Sequence, residues 1–472
     1  MTTAAFDAGL LEALDAAVPG GLLTAAEDLI AYGFDGTFYS QTPSLVVLPA
    51  TTAEVCAVHR IASARRIPLV PRAMGSGLSG GAVPGAGSIV LGVARMDRIL
   101  EIDRVDGVAV VQPGVITGRL QAAVEAQGLF YPPDPSSLKQ SAIGGNVAEN
   151  AGGARALKYG VTGDYVLALE VVLPDGTPIR TGGRTSKNVT GYDLRRLFTG
   201  AEGTLGTITE ITLKLLPRPR YARAALAIFD RIEDAADTVT AVMARGIIPT
   251  AIELLDALTI RCVEENEPAG LPADADAILI FGADGNDARV VDEDIAAIGT
   301  VAREHGARDV TVAADDAESE RLWRARRSIS PALARRRPNK LGEDICVPRS
   351  QITAMVKRVR EIARANGLEI PLFGHIGDGN LHPNILCNRR DPEEMARVAV
   401  AAREIFEGAV AVGGTLSGEH GIGLLKKQFM ELDVGVDALA LMRAIKNAVD
   451  PLGIMNPGKI FPEPGGIEAF RL

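Results

Sequence analysis

Gly75-Ser76-Gly77-Leu78-Ser79-Gly80 runs straight on into Gly81-Ala82-Val83-Pro84-Gly85-Ala86-Gly87. The first six residues have the G-x-G-x-x-G spacing of a dinucleotide-binding turn, but that turn needs a helix to begin within it. Further glycines and a proline exclude a helix here, so this is not a Rossmann motif. A Gly-rich loop without a helix still binds pyrophosphate through successive backbone N–H groups, and Arg72 just before it adds positive charge. A second run follows at Ile143-Gly144-Gly145-Asn146-Val147-Ala148-Glu149-Asn150-Ala151-Gly152-Gly153. Two such loops suit a long ligand whose close approach forbids side chains, and a dinucleotide qualifies.

The 472 residues suffice for two or three domains. A net charge of −10 argues against a nucleic-acid partner. Cys56, Cys262, Cys346 and Cys387 form no Cys-x-x-Cys and read as reduced thiols, which points to the cytoplasm. Met1–Ala17 has no basic n-region, so no signal peptide is expected there. No apolar run approaches a membrane span, which leaves peripheral attachment at the inner membrane open.

A short helical lead-in is expected over 6–31. From Ser44 the chain alternates β runs with helices: a strand at Leu45–Leu48, a helix capped by Thr52 and running to about Arg66, then strands at Leu69, 88–92, 107–112, 165–173 and 208–215. Pro217-Arg218-Pro219-Arg220 marks a boundary. Beyond it, amphipathic stretches at 231–245, 286–305 and 392–412 alternate with β runs such as 277–281, as in a separate α+β domain. The expected division is 1–220, 221–420 and 421–472.

Three of the five histidines lie in two Gly-rich stretches, Gly374-His375-Ile376-Gly377-Asp378-Gly379-Asn380-Leu381-His382-Pro383-Asn384 and Ser417-Gly418-Glu419-His420-Gly421. Asp378-Gly379 signals a two-residue hairpin turn. Centred there, the turn sets His375 opposite His382, at the roughly 4.5–5.5 Å Cβ separation of cross-strand partners. Two imidazoles at that separation reach one metal ion. Asn384 shares the face of His382. Glu419 offers an anionic oxygen, and three protein ligands leave a position open, as catalytic zinc requires. His420 is then a spare imidazole placed for proton transfer.

With these motifs in view, the chain resembles the vanillyl-alcohol-oxidase type of FAD protein. The resemblance rests on Pro71-Arg72 with the 75–81 loop, Pro133-Asp134-Pro135-Ser136-Ser137, Gly144-Gly145-Asn146, Lys187–Leu194 and Thr199–Glu210. The C-terminal motifs narrow it to the D-2-hydroxyacid dehydrogenase branch, which holds D-lactate and D-2-hydroxyglutarate dehydrogenases and the glycolate oxidase flavoprotein subunit. The resemblance spans roughly 40–462. It implies an α+β fold: a two-part FAD-binding domain and an α+β cap domain with an antiparallel sheet, whose C-terminal segment returns to the FAD domain.

The same resemblance implies FAD contacts from Arg72, Gly75, Ser76, Gly77, Leu78, Ser79, Pro135, Ser136, Gly144, Gly145 and Asn146. Gly206 and Ile208 would flank the adenine end, and Asn456 would approach the isoalloxazine. Ser76 stands where covalently flavinylated relatives carry His, so non-covalent FAD is expected. His375, His382 and Glu419 would bind a divalent metal, most simply Zn2+, and His420 would act as base. Asn384 and Arg326, in Leu322-Trp323-Arg324-Ala325-Arg326, would contact substrate. Gly342 stands where the hydroxyglutarate branch has a substrate-binding Lys, and Lys340 is the nearby cation that could replace it.

The implied reaction is oxidation of a D-2-hydroxy acid of the D-lactate, glycolate or D-2-hydroxyglutarate type to the 2-oxo acid, by hydride transfer to flavin N5. The electrons would pass to a quinone, a cytochrome, an electron-transfer flavoprotein or an iron–sulfur subunit. A homodimer is compatible with the sequence. The alternatives are an alcohol oxidase of the same fold and a non-catalytic FAD-containing electron-transfer subunit.

Overall fold

In the computed structural model, residues 6–470 are described; Met1–Ala5, the start of the stretch read for a leader, and Arg471–Leu472 lie outside them. The chain divides into two units. The first comprises 6–151, 161–218 and 419–469; the second comprises 152–160, 219–418 and residue 470. The expected limits lie at 220 and 420, with 152–160 in the first unit. That segment instead joins the second, where Lys158 Nζ and Tyr159 Oη bond Asp284 at 2.5 and 2.9 Å.

Among the described residues the first unit holds a four-stranded sheet, a five-stranded sheet and a two-stranded pair, Leu129–Phe130 with Leu216–Pro217. The four-stranded sheet runs in the order Leu22–Leu23, Leu45–Val47, Ile89–Gly92, Leu69–Arg72, its last three strands parallel. The helix Thr52–Arg65 connects two of them. Its cap is Thr51, one residue before the expected Thr52, because the Thr51 side chain accepts from Glu54 N at 3.2 Å. Val55, Val58 and Ala62 recur at helical spacing and pack with Leu10, Leu14, Leu69, Leu91 and Met455 in one core. The second sheet is antiparallel, ordered Ile99–Asp103, Val108–Val111, Thr207–Lys214, Val166–Val172, Pro178–Gly182.

The second unit is built on an antiparallel sheet. Its order is Ala307–Val312, Tyr221–Phe229, Ala277–Gly285, Ala251–Asp256, Leu372–Gly374, Asn380–Cys387, Asn339–Gly342. Helices cover it. In Ile352–Asn366, the residues Ile352, Met355, Val356, Val359 and Ile362 form the buried stripe, and Gly367 ends the helix in the left-handed region at φ 60°. The central strands Ala251–Asp256 and Asn380–Cys387 are buried at every residue, so any charge they carry must find a partner inside the protein.

Register places side chains by face, because partners across antiparallel strands point the same way. Leu255 pairs with Phe373, Phe373 with His382, Asn384 with Gly342, and Leu386 with Lys340. Alternation then sets Glu253, Phe373, His382, Asn384 and Lys340 on one face of four neighbouring strands.

Candidate active site

The first unit carries the glycine loops. Arg72 is buried, and its guanidinium donates to the carbonyls of Ala82 and Ala31 at 3.3 and 3.5 Å. It braces the loop from inside, and a Cβ on Gly75 would strike it at 2.0 Å. Ser76, Gly77 and Leu78 form the middle of the loop, where Gly36 N donates to Gly77 O at 2.9 Å. Ser79 is fully buried; its hydroxyl bonds Glu149 Oε1 at 3.0 Å and accepts from Gly81 N at 3.1 Å.

The second glycine run begins as a short helix, Ile143–Glu149, where the sequence reading has a loop. Gly144 lies so close to Pro113 that a Cβ would come within 2.5 Å, whereas Gly145 would meet only Ala73 at 3.4 Å. Gly144 is therefore required by packing, and Gly145 presents accessible backbone. The Asn146 side chain donates to Thr117 Oγ1 at 2.7 Å. Pro135 is buried and Ser136 exposed. Gly206 packs on Val172, and Ile208 pairs with Val171.

The tail closes this unit. Asn456 has φ 39° and is buried; its side-chain amide donates to Gly81 O at 2.9 Å and Glu202 O at 2.7 Å. Glu202 accepts from Ile422 N at 2.8 Å and Gly423 N at 2.7 Å. Burial pushes its carboxyl up to about 7 against these bonds and the nearby Lys459 and Lys426 charges. Glu149 is also raised, by burial and by Glu202 beside it. Both acids lie within the motifs at 143–153 and 199–210, yet neither motif assigns them a role. Just before Gly421, His420 is half-buried, with Nε2 4.0 Å from Glu419 Oε1.

In the second unit, the rings of His375 and His382 meet edge to face with centroids 5.1 Å apart. They do not sit opposite each other on a tight hairpin. Phe373 faces His382, because residues 376–378 coil into a 3-10 turn and the left-handed Gly379 (φ 86°) turns the chain back. The longer turn still brings the imidazoles together. His375 Nδ1 lies 2.6 Å from Glu253 Oε1. The carboxylate accepts, so a neutral His375 carries its proton on Nδ1 and its lone pair on Nε2. His382 Nδ1 lies 3.7 Å from Asp344 Oδ1.

Asp344 is fully buried and accepts from Asn380 Nδ2 at 2.6 Å, Ser417 Oγ at 2.6 Å and Gly418 N at 2.9 Å. It thus fixes the second unit up to the residue before Glu419. Two buried imidazoles with a carboxylate-rich surround are a donor set that fits a divalent ion such as zinc.

Arg326, on the helix Asp316–Arg327, is buried and pairs through Nε with Glu253 Oε2; its guanidinium carbon lies 5.0 Å from the Phe373 ring centre. Burial alone would raise the Glu253 carboxyl, but the Arg326 and His375 charges and hydrogen bonds hold it below the usual carboxylate range. Asn384 donates its amide to His382 O at 3.1 Å, leaving Oδ1 toward Gly342, where an added Cβ would be 3.1 Å away. Lys340 Nζ donates to Ser330 Oγ at 2.7 Å, and burial lowers its pKa. Arg326, Asn384 and Lys340 therefore gather on the sheet face that carries His382. Glu253 is the addition that motif reading misses. Its one signal is a lone carboxylate within the apolar run Ala251-Ile252-Glu253-Leu254-Leu255.

The family description "FAD linked oxidases, C-terminal domain" matches residues 218–460, and "FAD binding domain" matches 43–182. The chain belongs to the FAD-linked oxidase family. Similar members include the glycolate oxidase subunit GlcD of Bacillus subtilis, 46% identical over 92% of each chain. The D-2-hydroxyglutarate dehydrogenase of Stutzerimonas stutzeri is 35% identical over 96% of this chain and 99% of that protein. The D-lactate dehydrogenase of Anaerostipes hadrus is 35% identical over 89% of each. Among solved structures, p-cresol methylhydroxylase superposes with a TM-score of 0.80 at 20% identity, covering 96% of each chain, which establishes the shared fold. This FAD-linked oxidase has the expected α+β architecture with its FAD-binding domain, and it is an FAD-dependent oxidoreductase.

Proposed function

We propose that this FAD-linked oxidase converts a short D-2-hydroxy acid, of the glycolate or D-lactate type, to the 2-oxo acid. The observation that carries this reading is the convergence of the His375–His382 pair with Arg326 and Asn384 at one sheet face. Relatives named glycolate oxidase subunit and D-lactate dehydrogenase support the substrate class.

When bound, FAD would supply the hydride acceptor and a divalent metal on His375, His382 and Glu419 the Lewis acid that makes the substrate hydroxyl more acidic. His420 takes the hydroxyl proton. Arg326 holds the substrate carboxylate through paired N–H donors. Asn384 Oδ1 accepts from the substrate. Fixing the acid at both ends maintains a near-attack geometry. FAD is held non-covalently, since Ser76 has no imidazole to form the linkage.

The word "subunit" in the name of the Bacillus subtilis relative supports an electron-accepting partner. No helix among the described residues is long and apolar enough to cross a membrane.

A dye-reduction screen of glycolate, D- and L-lactate, malate and 2-hydroxyglutarate, with metal analysis of the same preparation, tests the reading. Reduction by a D- or unbranched short 2-hydroxy acid, with about one metal per chain, is expected. Reduction only by simple alcohols would overturn it.

A further inference from the structure

We propose that Glu253 is the positioning residue of this site, setting the metal-binding imidazole and the substrate-binding guanidinium with one carboxylate. The inference rests on the reading just given and adds a residue to it. Glu253 sits in the fully buried strand Ala251–Asp256 with 0% exposure. Each of its oxygens has a separate partner: Oε1 accepts from His375 Nδ1 at 2.6 Å and Oε2 from Arg326 Nε. Both contacts use the rear atom of a ring or fork. Glu253 thereby directs the His375 lone pair to Nε2, the atom a metal would take in the reading above, and uses Nε of Arg326 rather than its paired Nη groups. Phe373 stands 5.0 Å from the guanidinium carbon and 5.4 Å from the His382 ring, which limits both to this arrangement.

The Glu253→Gln substitution is nearly isosteric but cannot serve both partners. A carbonyl toward His375 puts an NH2 against the Arg326 Nε–H, so donor meets donor. The flipped amide donates to His375 Nδ1 and moves the imidazole proton to Nε2, where it blocks the metal. Removing partners of this kind weakens metal binding by about 10–100-fold.

FAD-loaded, chelator-stripped protein should be titrated with Zn2+ by calorimetry, and KM and kcat measured on the best short 2-hydroxy acid. With flavin content and Tm confirming the fold, Glu253→Gln should lose about 10–100-fold in Zn2+ affinity and raise KM for the acid. Unchanged Zn2+ affinity and KM in Glu253→Gln would overturn the positioning role and leave the proposed function standing. Should Glu253→Gln not fold, Glu253→Asp keeps the charge that balances Arg326 but is too short to reach both partners. It should show the same loss, and wild-type Zn2+ affinity there overturns the proposal equally. A wild-type protein that takes up no Zn2+ overturns the metal reading itself, and this inference with it.

Discussion

Asn456 donates its side-chain amide to the carbonyl of Gly81, 375 residues earlier, at 2.9 Å. The same amide reaches Glu202 O at 2.7 Å, so one buried side chain ties the chain's tail to the end of the first glycine loop and to Glu202. Asn456→Ala strands two buried carbonyls, each costing about 1–3 kcal/mol. The variant should melt lower and lose flavin on desalting, read as the ratio of absorbance at 450 nm to that at 280 nm. Full flavin content with an unchanged Tm would mean the clamp is dispensable.

The sequence shows both glycine runs and the imidazole pair. These signals are local: φ requirements, periodicity and short motifs. It does not reveal that the second run starts as a helix, because only the close pass of Pro113 explains Gly144. Nor does it reveal Glu253. His375 and Glu253 meet across 122 residues, a contact set by the register of neighbouring strands rather than by any local pattern. Nor does the sequence show what holds Arg72, whose guanidinium braces the glycine loop through the carbonyls of Ala82 and Ala31.

In the proposed reading, Ser76 sets how the flavin is retained. A serine hydroxyl in this loop offers no imidazole for a covalent linkage, so acid precipitation should leave the flavin in the supernatant. The absorbance of the two fractions decides it, and flavin remaining in the pellet counts against non-covalent binding.

Gly342 faces Asn384 across the sheet, and Lys340 is the one lysine on that stretch of the same face. Without a second cation at 342, the distal carboxylate of 2-hydroxyglutarate lacks a partner there. A hydrogen bond to a charged group contributes about 1.5–3 kcal/mol. Short 2-hydroxy acids should therefore exceed 2-hydroxyglutarate by roughly tenfold or more in kcat/KM. A preference for 2-hydroxyglutarate would show that Lys340 replaces the missing cation fully. Gly342→Lys should not simply restore that substrate, since its Cβ would press on Asn384 Oδ1 at 3.1 Å.

His59 gives the first unit a pH dependence. It is fully buried, with Nδ1 2.8 Å from Leu173 O and Nε2 2.9 Å from Thr207 Oγ1. Burial lowers its pKa from 6.5 to about 4, outweighing the backbone contact that raises it. Between those values the unfolded chain binds the proton and the folded chain does not. The contribution is therefore complete above about pH 6.5 and is lost as pH falls toward about 4. At about 1.4 kcal/mol per unit the loss is on the order of 3 kcal/mol. Tm measured from pH 7 to 5 should fall more steeply in the wild type than in His59→Gln. Parallel curves would assign the acid sensitivity elsewhere.

His420 directly follows Glu419 in the chain and lies half-buried, its Nε2 4.0 Å from the Glu419 carboxylate. A carboxylate engaged with a metal cannot also take the hydroxyl proton, whereas the adjoining imidazole can. A general base contributes typically ~10²–10⁴-fold. His420→Ala should slow flavin reduction by about that factor in stopped-flow single turnovers, with metal content unchanged. Reoxidation by an added acceptor should proceed at the wild-type rate, because no substrate proton moves in that half-reaction. If His420 were instead a ligand and Glu419 its neighbour's support, the same variant would arrive without metal. Metal analysis of His420→Ala beside its reduction rate separates the two roles: slow reduction with full metal assigns the base, and lost metal reassigns His420 to the ligand set.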